Sequence, residues 1–264
     1  MKTNISGTNW SIPKSKITEF RIKKNSYCLC VPIINEGERF TKQITRLRNF
    51  SNILDILILD GGSTDGSINL QFLKKNKVRT LLIKTGPGRL GAQLRMGYAY
   101  ALRQGYLGII TIDGNGKDNE QAIPDFIRAL NMGFDYVQGS RFISGGQGVN
   151  TPLVRHLAVR LIHAPLISLA AKYHFTDTTP GFRAYSSKFL LDSKVQPFRS
   201  IFVSYELLTY LTVRAPQLNF KVKEVPIVRS YPLCGKTPTK ISFIQGNFLL
   251  LNILIKTIFG QFNP

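Results

Sequence analysis

Cysteine and tryptophan are scarce in this chain, with Cys28, Cys30 and Cys234 the only cysteines and Trp10 the single tryptophan. Three cysteines are too few for the disulfide framework of a small secreted domain. Cys28 and Cys30 alternate inside an apolar run, which assigns them to packing in a reducing compartment. Acids are also few: 15 Asp and Glu stand against 35 Lys and Arg, a formal charge of +20. That excess implies an anionic partner, whether nucleic acid, an acidic membrane surface or a phosphate-bearing substrate. Zinc-finger spacing and aromatic RNA-binding motifs are both missing, which sets nucleic acid aside. No GxGxxG follows the first apolar strand and no GxxxxGK[ST] occurs, against dinucleotide dehydrogenases and P-loop ATPases. The first 26 residues lack the apolar core of a signal peptide. They hold Lys2, Lys14, Lys16, Arg21, Lys23 and Lys24 against Glu19, the composition of a basic, mobile arm suited to a membrane surface.

What the chain does have is an alternation of apolar strands and helical stretches. With 264 residues, 43% of them hydrophobic, it is long enough for one large α/β domain. Strands are expected at Tyr27–Ile34, Ile53–Leu59, Arg79–Lys84, Leu107–Ile112, Phe134–Gly139 and Lys221–Val228. Helices are expected from Asn35 to about Phe50, up to about Lys75, and over Leu90–Gln104, Ile123–Met132 and Phe202–Leu211. Asn35 followed by Glu38 reads as a capping box. This order predicts a three-layer fold with a mostly parallel sheet. After the Gly145–Gly148 loop, Leu153–Ala171 reads as a cationic helix bent at Pro165, carrying His156 and His163 in packing or surface roles. Ile241–Phe262 is apolar but interrupted by Gln245, Gly246, Asn247, Asn252 and Lys256. It falls short of the ~20 uninterrupted apolar residues of a membrane span, so an amphipathic helix at a bilayer or partner surface is expected, with a core helix as the alternative. Three segments follow: an arm over 1–26, a main domain over 27–240 and a C-terminal helix over 241–264.

Three strand ends carry oxygen ligands. Ile109–Ile112 runs straight into Asp113-Gly114-Asn115-Gly116-Lys117-Asp118, and comparable ends occur at Pro32–Glu36 and Asp60–Asp65. In an open α/β sheet, ligands bind outside the carboxyl ends of the strands. Carboxylates and a carboxamide there can hydrogen-bond a base and ribose and ligate a cation holding a diphosphate. Glycines at 61, 62, 86, 88 and 114 allow close backbone approach.

Together these motifs resemble the family-2 glycosyltransferases of GT-A fold, a Rossmann-like arrangement, and within them the dolichyl-phosphate mannose synthase and polyprenyl-phosphate glycosyltransferase branch. The resemblance covers about residues 27–240. It rests on Pro32–Glu36, Asp60–Gly66, Asp113-Gly114-Asn115, Gly139–Phe142, Asp177–Arg183, Glu224–Ile227, and Arg229 with Thr239-Lys240. It implies a nucleotide-sugar pocket lined by Pro32, Asn35, Glu36, Asp60, Gly88 and Arg89. It places Asp113 and Asn115 at a Mg²⁺ or Mn²⁺ site, and Arg141, Arg183, Arg229 and Lys240 on phosphates. Asp113, Arg141, Asp177 and Arg183 are then the expected catalytic set. Two departures stand out: Gly61 replaces the second acid of the usual Asp-Asp pair, and Asn115 replaces that of Asp-x-Asp. Asn is neutral, which weakens a cation site. Lys117 sits where many relatives offer another ligand or polar contact, and its ammonium suits a phosphate instead.

The activity implied is inverting transfer of a hexose from a nucleotide sugar to a polyprenyl phosphate, peripherally at the cytoplasmic face of an anionic membrane, with a membrane subunit or homo-oligomer as possible partners. A lipid monophosphate, with a second pKa near ~6, is already nucleophilic at neutral pH and needs no general base. The alternatives are transfer to a saccharide hydroxyl, with Asp177 or Glu206 taking the proton, and a non-catalytic scaffold of the same fold.

Overall fold

The computed structural model describes residues 10–232 and 245–264. The N-terminal strand β1 (Ser15–Glu19) precedes β2 (Tyr27–Ile33), α1 (Glu38–Leu47), β3 (Asp55–Asp60), α2 (Leu70–Lys75), β4 (Thr80–Lys84) and α3 (Leu90–Arg103). Then come β5 (Gly108–Thr111), α4 (Ile123–Asn131), β6 (Tyr136–Ser140), β7 (Gln147–Val149), α5 (Leu153–Ala158) and α6 (Ala164–Ala171). The chain closes with β8 (Arg183–Ser186), α7 (Ser187–Leu191), α8 (Glu206–Gln217), β9 (Val222–Pro226), β10 (Val228–Ser230) and α9 (Gln245–Ile258).

Eight strands form one sheet in the order β1-β4-β3-β2-β5-β8-β6-β9. The core is parallel, whereas β1 runs antiparallel to β4 and β8 antiparallel to both β5 and β6. Period-2 alternation along β2 divides the interior. Cys28 and Cys30 face one apolar layer with α3, α8 and α9, and Leu29, Val31 and Ile33 face another with α1, α2 and α4. Helix α3 is buried from Gly91 to Leu102, so its apolar residues cover nearly the whole helix rather than one stripe.

The mixed α/β architecture is the one expected, and several local expectations are corrected. The stretch expected as a mobile arm contains β1, whose five residues pair with β4 along the sheet edge. Helix α1 has Gly37 as its N-cap with no side-chain cap. Asn35 takes a left-handed φ of 48° and accepts from the Thr64 N–H at 2.8 Å, so it pins a neighbouring loop instead of capping the helix. The strand expected over 221–228 is two strands, β9 in the main sheet and β10 paired with β7. Residues 183–186 insert as an antiparallel strand in the middle of the sheet.

The helix over 153–171 widens at Val159–His163 into a π turn, one residue before Ala164-Pro165. Pro165 has no N–H to return to the Leu161 carbonyl, and the Ala164 N–H reaches back to Val159, so the irregularity precedes the proline. Helix α8 begins at Glu206 rather than Phe202: the Val203 carbonyl accepts the Arg89 and Ala92 N–H groups at the start of α3, and the Phe202 carbonyl accepts from the Arg95 side chain.

Candidate active site

The order β3-β2-β5 puts the three ligand-bearing strand ends side by side at one edge. Ile33 pairs with Asp60, and the Gly61 N–H donates to the Ile33 carbonyl at 2.8 Å. On the other side the Gly114 N–H donates to the Pro32 carbonyl at 3.2 Å. A Cβ on Gly114 would sit 2.2 Å from the Ile33 side chain, so only glycine lets this turn close over β2. Pro32, Asp60 and Asp113 therefore converge.

The loops after β2 and β3 are laced together. Asn35 N–H donates to Ser63 Oγ at 3.0 Å, and Gly37 N–H donates to Asp65 and Ser67. The Asp60 carboxylate is buried and accepts from Gly62 N–H, Ser63 N–H and Ser63 Oγ. Glu36 pairs with Arg39 at 3.2 Å. Gly88 has φ +98° in the loop before α3. Arg89 is exposed, and its backbone N–H donates to the Val203 carbonyl at 2.9 Å.

Asp113 is braced from several directions. Gln43 on α1 donates to its carbonyl at 2.9 Å, and Arg46 grips the buried Glu120 just beyond the turn. Gly181 lies so close that a Cβ there would fall 2.0 Å from Asp113 Oδ1. Arg229 donates to Asp113 Oδ2 at 3.1 Å and to Asp118 Oδ2 at 2.5 Å. It is delivered by a short backbone pairing: Ser230 N–H donates to the Lys117 carbonyl at 2.8 Å and Val228 N–H to Asn119 Oδ1 at 2.8 Å. Burial pushes the Asp113 carboxyl up, but Arg229 and Lys117 outweigh it and hold the group below the usual carboxylate range. Burial keeps Asp118 above that range despite Arg229. Lys117 is buried, and desolvation with Arg229 alongside brings its amine down to about 8.

Asn115 Oδ1 accepts from the Lys117 N–H at 3.2 Å. Among the described residues no three His, Cys, Asp or Glu side chains converge as a cation cage. Asp113 and Asn115 thus offer two oxygens on one turn. That fits a magnesium-like ion held mainly by substrate phosphate and water.

The other expected phosphate ligands are placed differently. Arg141 and Asp177 form a buried bidentate pair, 2.7 and 3.1 Å, and Arg141 also donates to Thr179. Arg183 is buried and donates to the carbonyls of Thr178, Pro180 and Leu208 and to Thr212 Oγ1. It holds the turn before β8 against α8, and is a positioning residue rather than a phosphate ligand. Asp177 likewise is no free base, being held by Arg141. Glu206 accepts the Ser204 N–H at 2.5 Å. Lys240 and Thr239 lie outside the described residues. Sequence reasoning missed Gln43 and Tyr205, the latter near Asp113 and Arg89, whose charges act on its hydroxyl.

The model of the family "Glycosyl transferase family 2" matches residues 28–192. The chain belongs to glycosyl transferase family 2. As a family-2 glycosyltransferase it is 29% identical over 203 residues to an undecaprenyl-phosphate mannosyltransferase of Micrococcus luteus, covering 75% of this chain and 80% of that one. It is 28% identical over 202 residues to a polyprenol monophosphomannose synthase of Mycolicibacterium smegmatis, covering 75% and 74%. Its fold matches the glucosyl-3-phosphoglycerate synthase of Mycobacterium tuberculosis, solved with Mn²⁺, UDP and phosphoglyceric acid. The TM-score there is 0.63 with 14% identity over 89% of this chain and 77% of the other.

Proposed function

We propose that this family-2 glycosyltransferase moves a hexose, with inversion, from a nucleotide sugar to a polyprenyl phosphate at the inner face of a membrane. The observation that carries the reading is the meeting of Pro32, Asp60 and Asp113 at one sheet edge, with Arg229 laid across Asp113. The relatives that act on undecaprenyl phosphate and polyprenol support the acceptor class.

Asp60 and the adjoining glycine turn line the nucleoside end, and Arg89 and Arg229 face the diphosphate. A divalent ion, when bound at Asp113 and Asn115, would neutralise charge building on the leaving diphosphate. The acceptor phosphate arrives already ionised, so the protein's task is to hold it in line and keep water away. The fate of the two candidate bases favours this acceptor over a saccharide hydroxyl: Arg141 clamps Asp177 and Ser204 engages Glu206.

The membrane side falls to two helices. Along 153–171, Leu153, Val154, Leu157, Leu161, Ile162 and Leu169 are exposed, and α9 exposes Phe248, Leu251 and Ile255, with Phe259 just beyond it. Helices α6 and α9 pack on one another, and both carry exposed apolar side chains on a strongly basic protein.

Transfer assays with radiolabelled nucleotide sugars test the reading. Label is expected in a polyprenyl phosphate product. Label entering only a saccharide would replace this acceptor with a hydroxyl.

A further inference from the structure

The turn from Asp177 to Arg183 is gripped along its backbone from the sheet and from α8. Gly139 N–H donates to the Phe182 carbonyl at 2.9 Å and Gln138 Nε2 to the Pro180 carbonyl at 3.3 Å. Arg183 donates to the Thr178 and Pro180 carbonyls while reaching Leu208 and Thr212 on α8. The Thr178 side chain is held by a different element. His163 closes the π turn at Val159–His163, and its Nδ1 shares a hydrogen bond of 2.7 Å with Thr178 Oγ1. Thr178 is 3% exposed, so its hydroxyl has little access to water and depends on this partner. Packing alone would ask for no hydroxyl here, since an apolar side chain costs less to bury. Burial and Arg183 keep the imidazole neutral at pH 7, so it contributes a hydrogen bond and no charge.

Gly181 brings the same turn hard against Asp113. A Cβ on Gly181 would fall 2.0 Å from Asp113 Oδ1 and 2.8 Å from its Cγ, while Arg229 holds Oδ2 at 3.1 Å. The carboxylate is thus bounded at one oxygen by an arginine and at the other by the backbone of the turn. A shift of the turn moves the carboxylate or uncovers it, and misplacement by about 1 Å can cost on the order of 10²-fold in rate.

We infer that His163 is a positioning residue for glycosyl transfer: through the Thr178 hydroxyl it fixes the turn over 178–181, and so the seat of the Asp113 carboxylate against Gly181. The inference rests on the proposed function, which puts Asp113 at the reacting diphosphate. His163 acts through Thr178 and needs no contact with donor or acceptor. Wide turns of this kind recur at functional sites, and here the widening ahead of Pro165 ends on the residue that reaches the turn. Leu161 and Ile162 beside it are exposed, so one stretch of helix presents apolar side chains outward and a hydrogen-bonding ring inward.

Steady-state transfer by the full chain tests this, with radiolabelled UDP-, GDP- and dTDP-hexoses as donors and a short prenyl monophosphate as acceptor. Rates are divided by the folded fraction at the assay temperature, read from thermal melting of each variant. Thr178→Val keeps the shape of the side chain and removes its hydroxyl. It is expected to lower kcat by about tenfold or more, with KM for the nucleotide sugar within about twofold. His163→Leu should do the same. The double variant should be no slower than either single one, because both changes remove one interaction. Thr178→Ser and His163→Asn keep hydrogen-bonding atoms in place and should retain most of the rate. Wild-type kcat in Thr178→Val, a rise in KM alone, or losses that multiply in the double variant would overturn the inference and leave the proposed function standing. So would a loss that vanishes on division by the folded fraction, the mark of a purely structural contact. No transfer from any donor by the wild type would overturn the proposed function and this inference with it.

Discussion

At the scale of single residues, pairing decides which polar side chains are available for chemistry. Asp177 is fully buried and bonded at both oxygens by Arg141. Removing its charge strands a buried guanidinium, which costs far more than the net contribution of the pair. Asp177→Asn is therefore expected to lower unfolding stability by roughly 3–5 kcal/mol, read by chemical denaturation. Unchanged stability with lost turnover would instead assign Asp177 directly to the reaction. Asp113 is different: it is partly open, and Gly181 leaves it room that any Cβ would fill. Asp113 and Asp177 look alike in sequence, each an acid next to a turn. Each meets an Arg, and what separates them is that Arg141 takes both oxygens of the fully buried Asp177, whereas Arg229 takes only Oδ2 of Asp113, which stays partly exposed.

At the scale of elements, the helix over 153–171 is anchored at its π turn. His163 Nδ1 and Thr178 Oγ1 share a hydrogen bond at 2.7 Å, tying the widened turn to the loop that carries Asp177 and Arg183. Desolvation, with Arg183 adding to it, brings the imidazole down to about 4, so it is neutral in the folded protein at pH 7. The unfolded chain binds a proton near the ordinary 6.5. The unfolded state therefore binds more protons between these values, and stability falls as the pH drops from 6.5 toward 4. Melting temperatures over that range should fall less steeply for His163→Gln than for the wild type. Parallel curves would show that His163 is not the group titrating. The periodicity of this segment reads as helix, and its proline predicts a bend. The π turn ahead of the proline depends on backbone bonds that composition alone does not specify.

At the scale of the whole molecule, the apolar faces of the two helices and the charge of +20 act together. Apolar side chains bury into the acyl boundary while cations gain from anionic headgroups, and only the second contribution is screened by salt. Leu161 and Leu169 are 69% and 72% exposed. Replacing both with Glu should greatly reduce sedimentation with anionic vesicles while leaving the melting temperature close to wild type, since exposed substitutions move stability by only about 0.5 kcal/mol. Undiminished vesicle binding would move the membrane contact elsewhere on the surface.

The alternation of strand and helix, the three ligand-bearing strand ends and the cationic excess were legible in the sequence because each is local. Hydrophobic period, turn chemistry and charge need no knowledge of distant neighbours. Tertiary structure alone decided that residues 15–19 close one edge of the sheet, that Arg183 serves a turn rather than a phosphate, and that Arg229, 116 positions beyond Asp113, lands on it. Those outcomes turn on strand order and on which buried donor meets which acceptor. Such contacts are made between residues far apart in the chain, where spacing along the sequence carries no distance information.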